Sequence, residues 1–422
     1  MKRYIIVLSL LSVLPLSAQQ AYTLEECQQM AQNHNIALRT ADANIEMAKE
    51  QRHEAFTHYF PTLSANGMAF NANKETMEMS IMGMHLGMVK NGLMGAVTAV
   101  QPIFAGGQII NANRLAKTGV AVSQLQRQLN VNEVALTTEQ YYWQIIALQE
   151  KQKTLQTLAT LLARLHNDVA VAVKAGVVNR NDLLQVQLKE NEVESHQLKV
   201  SNGLALARMV LAQYIGADTA RLNFPATSYN FSLPDFALSN RTDHVAALRH
   251  TTEYQLLEEN VAAKKLQQKM ELGKRLPTVG VGASYAYHDL LDNDRSFATM
   301  FAQVSIPISD WWGGSHAIKR RRLAVQIAQD ELQNKAELLV IRMQKNWNDV
   351  EEAYKQLQIA HRGKEQAEEN LRLNTDYYKA GTCKMSDLLE AQAKFQQTHD
   401  NYCDAYAQYR IKLLEYKQSV GK

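Results

Sequence analysis

From Ala336 the apolar positions step by four and three in strict alternation: Ala336, Val340, Met343, Trp347, Val350, Tyr354, Leu357. That is a heptad stripe, the signature of a helix packed lengthwise against other helices. Gln, Glu, Lys, Ala and Leu dominate the surrounding sequence, and no proline interrupts it from Ile308 to Lys422 or from Ile103 to Phe224. Proline costs about 3 kcal/mol inside a helix, so both stretches are permitted helical territory. At 1.5 Å per residue, a helix from about Ser315 to Tyr378 spans about 96 Å, and one from Gln108 to Val173 about 100 Å.

A second pattern has period two. In Leu276–Tyr287, Val279, Val281, Ala283, Tyr285 and Tyr287 point one way, and Thr278, Gly280, Gly282, Ser284 and Ala286 the other. Ala298–Ile308 returns with a similar period after turn residues, which predicts a β-hairpin. In the first half "FPTLSANGMAF" and "LMGAVTAVQPIF" hold the matching places. Small residues on one face and apolar or aromatic ones on the other suit a barrel wall with lipid outside and water inside.

The chain repeats itself. Seven of the fourteen positions from Lys174 to Gln187 recur identically from Lys379 to Gln392, 205 residues on. Pro102 and Pro307 share that spacing, whereas Pro61 and Pro277 are 216 apart, so the first hairpin carries eleven extra residues. Gly176 and Gly381 are placed to stop a helix in the left-handed conformation, and Asp182 with Asn181, and Asp387 with Ser386, to start the next. The twin motif reads as the tip of a helical hairpin, with Leu183–Leu184 and Leu388–Leu389 beyond turn chemistry. They suggest a surface that packs or is recognised.

These elements give four parts: a secretory signal peptide over 1–18 (Lys2 and Arg3, an apolar core, a small residue at Ala18), a first repeat over 19–222, a linker over 223–239 and a second repeat over 240–422. Each repeat is helix, β-hairpin, long helix, tip and returning helix. Four strands cannot close a membrane barrel, for which about eight is the usual minimum, and an open sheet edge in lipid costs several kcal/mol per unpaired group. If the strands enter a membrane, the barrel must be shared, and three chains would supply twelve strands; an ordinary surface hairpin is the alternative.

Composition adds mainly exclusions. Without Lys2 and Arg3 the formal charge falls from +3 to +1, which gives no reason to expect nucleic acid. Cys27, Cys383 and Cys403 are an odd count, hence thiols rather than a disulfide framework. No phosphate-binding glycine loop, HExxH, CxxC or Gly-x-Ser-x-Gly is present, so neither an enzyme nor a cofactor is expected. Seven of the fifteen methionines lie between Met68 and Met94. Met77, Met79, Met82, Met84 and Met88, with His85, are soft ligands suited to Cu(I) or Ag(I). Flexible filling of loop and wall is the alternative.

In this order, "TLEEC…AQNHNIAL", the pair "YFPTL" and "RLPTV", "QPIFAGGQI" with "IPISDWWGG", and the twin "KAG…DLL…Q" tips resemble TolC-family outer membrane efflux proteins over essentially the whole mature chain. The resemblance implies a mixed, mainly-α membrane protein of two internal repeats: a long-helix α-barrel in the periplasm and a shared transmembrane β-barrel, four strands per chain and twelve in a homotrimer. It implies the outer membrane of a Gram-negative bacterium, contact with outer membrane lipid, and a passive exit duct. A periplasmic adaptor and an inner-membrane transporter, such as an RND-type pump, would be its partners. It also implies adaptor contacts at the tips (Lys174, Gly176, Leu183, Leu184, Lys379, Gly381, Leu388, Leu389). Asp387 and Glu390, with Asp182, would form an acidic periplasmic aperture, and Cys383 stands where a basic locking residue is expected. An exit duct for one-step protein secretion and a soluble coiled-coil scaffold are the competing readings.

Overall fold

The computed structural model describes residues 22–74, 78–81, 84–87, 90–218, 232–236, 241–290, 293–308 and 310–422. The expected signal peptide, most of the linker, and Met77, Met82 and Met88 lie outside the described residues.

The chain runs α1 (Leu24–His34), α2 (Ile36–Thr57), β1 (Thr62–Asn71), β2 (Glu78–Ile81), β3 (Met84–Gly87), β4 (Asn91–Ala105), α3 (Gln108–Lys174) and α4 (Arg180–Ile215). The second repeat follows as α5 (His244–Leu248), α6 (Thr252–Gly273), β5 (Thr278–Leu290), β6 (Asn293–Ser305), α7 (Asp310–Lys379) and α8 (Met385–Ser419). The 205-residue register carries the last residue of α3 and the first of α4 onto those of α7 and α8. The eleven extra residues contain a small hairpin, β2–β3, with Met84 opposite Ile81 and His85 opposite Ser80, an element absent from the sequence-based expectation.

Helix starts follow local chemistry. Thr23 caps α1, its hydroxyl accepting from the Glu26 amide (3.2 Å) while the Glu26 carboxylate accepts from the Thr23 amide (2.8 Å). Asn35 caps α2 through the Ala37 amide (2.9 Å). The long helices must pack along their length, and the heptad stripe does so: Met343, Trp347, Val350 and Leu357 are buried, with Ala336, Val340 and Tyr354 half-buried.

That stripe joins a core of buried aromatic residues halfway along the rod, to which α1 and α5 also contribute. Trp347 lies 5.0 Å from Tyr416 between ring centroids, Trp143 5.5 Å from Tyr406, and Tyr354 5.4 Å from Tyr409. The Tyr416 hydroxyl accepts from the Thr242 amide (2.9 Å), which anchors the start of the second repeat. Ion pairs bridge successive helices: Arg127–Asp42 (α3–α2), Arg342–Glu253 (2.6 Å, α7–α6) and Lys151–Asp404 (2.9 Å, α3–α8). Exposed pairs contribute about 0–1 kcal/mol each, so they set register while the aromatic core supplies stability.

The main sheet has the order β1-β4-β5-β6, antiparallel throughout, and the β4–β5 pairing joins the two repeats. Registers assign each residue to a face. Leu63 and Ala65 (β1), Val97 and Ala99 (β4), Val281, Ala283, Tyr285 and Tyr287 (β5), and Ala298, Met300 and Ala302 (β6) share one side. That face is apolar yet open, with Met300 89% exposed. The other side carries Thr62, Ser64, Asn66, Thr98, Ser284, His288, Thr299 and Gln303. There the Thr98 and Ser284 hydroxyls meet at 3.0 Å, and Phe301 covers Gly282, where a Cβ would lie 2.4 Å from the ring.

Sheet and rod meet at a tight neck. Gly106 takes φ +59°, and a Cβ there would sit 2.1 Å from the Gly273 carbonyl oxygen. The end of β4 in one repeat therefore touches the end of α6 in the other, backbone to backbone.

Glu139 is a buried carboxylate in the aromatic core, accepting from Trp143 Nε1 at 3.0 Å. Burial is the main cause that raises its pKa above the usual carboxylate range. A raised folded-state pKa means that this contribution to stability is complete below the unfolded pKa and lost as pH rises through the folded value. Glu139→Gln keeps an acceptor for Trp143 without the buried charge. The expected outcome is a higher unfolding midpoint at pH 7, shrinking towards nothing near pH 4, followed by circular dichroism across pH.

Candidate functional site: the paired hairpin tips

The end of the rod away from the sheet is built twice. α3 closes with the Gly176 amide donating to Val173 (3.0 Å) and the Val177 amide to Ala172 (2.9 Å); α7 closes with Gly381 to Tyr378 (3.0 Å) and Thr382 to Tyr377 (3.0 Å). Both glycines lie at positive φ, +71° and +72°, as this closure requires. Lys174 and Lys379 end their helices beside the freed carbonyls, where a cation is favoured.

The starts of α4 and α8 correct the sequence-based expectation. Asn179, not Asn181 or Asp182, caps α4, its side chain accepting from the Asn181 amide at 3.4 Å. Lys384, not Ser386 or Asp387, holds that place in α8. Asp182 and Asp387 instead sit in the third helical position. From there Asp387 reaches back: its Oδ2 accepts from the Lys384 amide (3.4 Å) and its Oδ1 from the Ser386 hydroxyl (3.1 Å). A lysine has no side-chain acceptor, so the acid one turn on takes over part of the capping, which sequence patterns for the cap position miss.

The repeated leucines divide their roles. Leu388 is buried at 3% exposure in a small core beneath the tips, with Leu183 and Leu389 half-buried against it. Leu184 is 47% exposed. Asp387 and Glu390 are both exposed and share one face of α8, as a spacing of three dictates, and Asp182 is half-buried. Cys383 is half-buried, its thiol 3.5 Å from Asn374 Oδ1 and 3.9 Å from Asp387 Oδ2. Burial first, then Asp387, pushes its pKa up. Cys27 and Cys403 are buried thiols pushed up to about 12 mainly by burial, and none of the three is in a disulfide.

Between the two hairpins lies a groove of about 880 Å³, lined among others by Arg164, Asp168, Val177, Asp182, Tyr378 and Gln392. Burial, then Asp182 and Asp168, raise the Tyr378 pKa, so the first hairpin directs two carboxylates at this phenol of the second. Gln392 is 1% exposed, and neither its amide nitrogen nor its oxygen has a hydrogen-bond partner. Arg164, Asp168 and Tyr378 carried no sequence signal, because each lies inside a long helix without a motif. Among the described residues no three His, Cys, Asp or Glu side chains could hold a metal ion together. Of the methionine cluster, Met79 and Met84, with His85, fall on β2–β3, while Met68 pairs across strands with Met94 on the polar side of the sheet.

No helix among the described residues is long and apolar enough to cross a membrane. The amphipathic sheet is the element suited to lipid, and the arrangement is that of a channel subunit standing on a helical stalk. The family model for "Outer membrane efflux protein" matches residues 28–217 and 257–422, and the chain belongs to that family. Among solved structures it is similar to CusC (12% identity, 94% of this chain and 92% of that chain, TM-score 0.79). It is likewise similar to the Campylobacter jejuni CmeC outer membrane channel (14%, 94% and 85%, 0.80) and the open state of the Neisseria gonorrhoeae MtrE outer membrane channel (15%, 94% and 88%, 0.77). No curated protein matches in sequence.

The two leucine environments predict different sensitivities. Leu388→Ala leaves a cavity in the tip core and is expected to cost about 2–5 kcal/mol locally, and Leu184→Ala less than about 0.5 kcal/mol. Limited proteolysis at the 380–384 turn should accelerate in the first variant and not in the second.

Proposed function

We propose that the protein is the outer membrane exit channel of a tripartite efflux system. Three copies close a twelve-stranded barrel, their helices continue it as a tunnel through the periplasm, a periplasmic adaptor docks on the tips, and an inner-membrane transporter supplies the energy. The observation that carries this reading is the four-stranded sheet with one apolar face and, among the described residues, an unpaired edge at each side, β1 and β6. In hydrocarbon such edges must be paired, and another copy of the same sheet is the partner of matching length and polarity. A soluble scaffold would have no use for the exposed apolar face. Protein secretion and small-molecule efflux share this duct, and cargo choice falls to the inner-membrane partner.

The aperture reading assigns Asp387 and Glu390 of three chains to a ring of six carboxylates that favours cations, with Asp182 beside it on the neighbouring hairpin. Its support is their exposure and common face on α8. The exposed Leu184 and Val177 suit an adaptor contact. A tip closed by weak polar contacts opens when docking supplies a few kcal/mol.

Asp387→Ala/Glu390→Ala is expected to raise single-channel conductance in planar bilayers and to reduce cation preference. Unchanged conductance and selectivity would remove the aperture assignment; failure of the wild-type protein to fractionate with the outer membrane would remove the channel reading itself.

A further inference from the structure

The neck between sheet and rod is far more basic than the chain as a whole. Over 46–60 of α2 and its exit, 108–122 of α3, 260–275 of α6 and its exit, and 310–324 of α7, there are thirteen Lys and Arg: two, two, five and four respectively. Five Asp and Glu oppose them: three, none, one and one. The full sequence is nearly balanced, at 45 to 42, so basic charge is concentrated beside the apolar sheet. The same zone exposes large apolar side chains, among them Trp312 at 82%. Cations and exposed aromatic residues together, next to a lipid-facing wall, are the chemistry of a membrane–water interface.

One recess in this collar gathers cations beside aromatic rings. A cavity of about 450 Å³ between α2 and α3 is lined by Arg52, Phe56, Tyr59, Ile110, Arg114 and Lys117, together with His53 and Asn113. Asn113 Nδ2 donates to the Ala55 carbonyl (2.7 Å) and ties the two helices together there. Phe56 stacks edge-on with Tyr59 (5.5 Å) and Phe60 (5.6 Å). Among the described residues Arg52, Arg114 and Lys117 have no ion-pair partner; the nearby Glu50 faces His53 at 3.6 Å, and Glu54 is exposed.

The recess adjoins the apolar side of the sheet. Gln101, which belongs to that face, donates to the Tyr59 carbonyl at 3.0 Å. Pro61, two residues on, lines a shallow depression with Ala99, Val281 and Met300 of the same face. A water-filled lumen would not favour three exposed aromatic rings beside its cations.

We propose that this recess binds the phosphodiester headgroup of an anionic phospholipid in the periplasm-facing leaflet. Arg52, Arg114 and Lys117 surround the phosphate, and Phe56 and Tyr59 lie against the glycerol and the first acyl carbons. The site rests on the channel reading for its place in the membrane.

The test uses the full-length protein, purified in detergent and delipidated, and titrated with phosphatidylglycerol, with phosphatidylcholine of the same acyl chains, and with inorganic phosphate, bound ligand being followed by native mass spectrometry. Phosphatidylglycerol is expected to bind tightest and free phosphate not to displace it at equal concentration. Arg114→Gln/Lys117→Gln should weaken phosphatidylglycerol binding about 30-fold, about fivefold for each cation removed, with channel selectivity unchanged. If that pair does not fold, Arg52→Gln alone should weaken it about fivefold. Full lipid affinity in the folded variants, equal displacement by inorganic phosphate, or a changed ion selectivity with lipid affinity intact would each overturn the site. Variants that keep full lipid affinity and still fractionate with the outer membrane would sink the site and leave the channel reading standing.

Discussion

A strand end in hydrocarbon has no water to turn to, and each unpaired backbone group there costs several kcal/mol. The main sheet of this chain has four strands and leaves both outer edges, β1 and β6, without a neighbour among the described residues. Its folding therefore cannot be completed by itself inside a bilayer. The demand passes down the molecule: edges that must meet their counterparts on other copies require the stems below to stand side by side at fixed spacing. Long helices with continuous apolar stripes, cross-linked by Arg342–Glu253 and its like, meet that requirement.

The stalk divides into two hydrophobic regions with different tasks. The larger, around Trp143, Trp347 and Tyr416, locks both repeats and the short helices α1 and α5 into one body. The smaller, around Leu165, Val186, Met385 and Leu388, holds only the hairpin ends. Separate cores permit separate stabilities. The ends can loosen without disturbing the middle.

Much of the architecture was legible in the sequence because it rests on long-range periodicity. The proline pairs marked the strands, the heptads marked α7, and the 205-residue register placed the ends of α3 and α7 to within a residue. What was missed depends on single contacts. Lys384 is a poor cap by composition, so the sequence points to Asp387 as the helix start, whereas it acts from one turn further in. β2–β3 sits in a methionine-rich stretch with too little alternation to read as strands. The groove residues Arg164, Asp168 and Tyr378 look like any other positions of a long helix; only the packing of one hairpin against the other brings them together. The recess between α2 and α3 was invisible for the same reason, since Arg52 and Arg114 are far apart in the chain.

The backbone contact between Gly106 and Gly273 leaves no room for a side chain on either residue, and it clasps one repeat to the other just below the sheet. A joint with no slack cannot widen. Relative motion of the two repeats then pivots about this clasp, small beside the sheet and growing with distance along the rods.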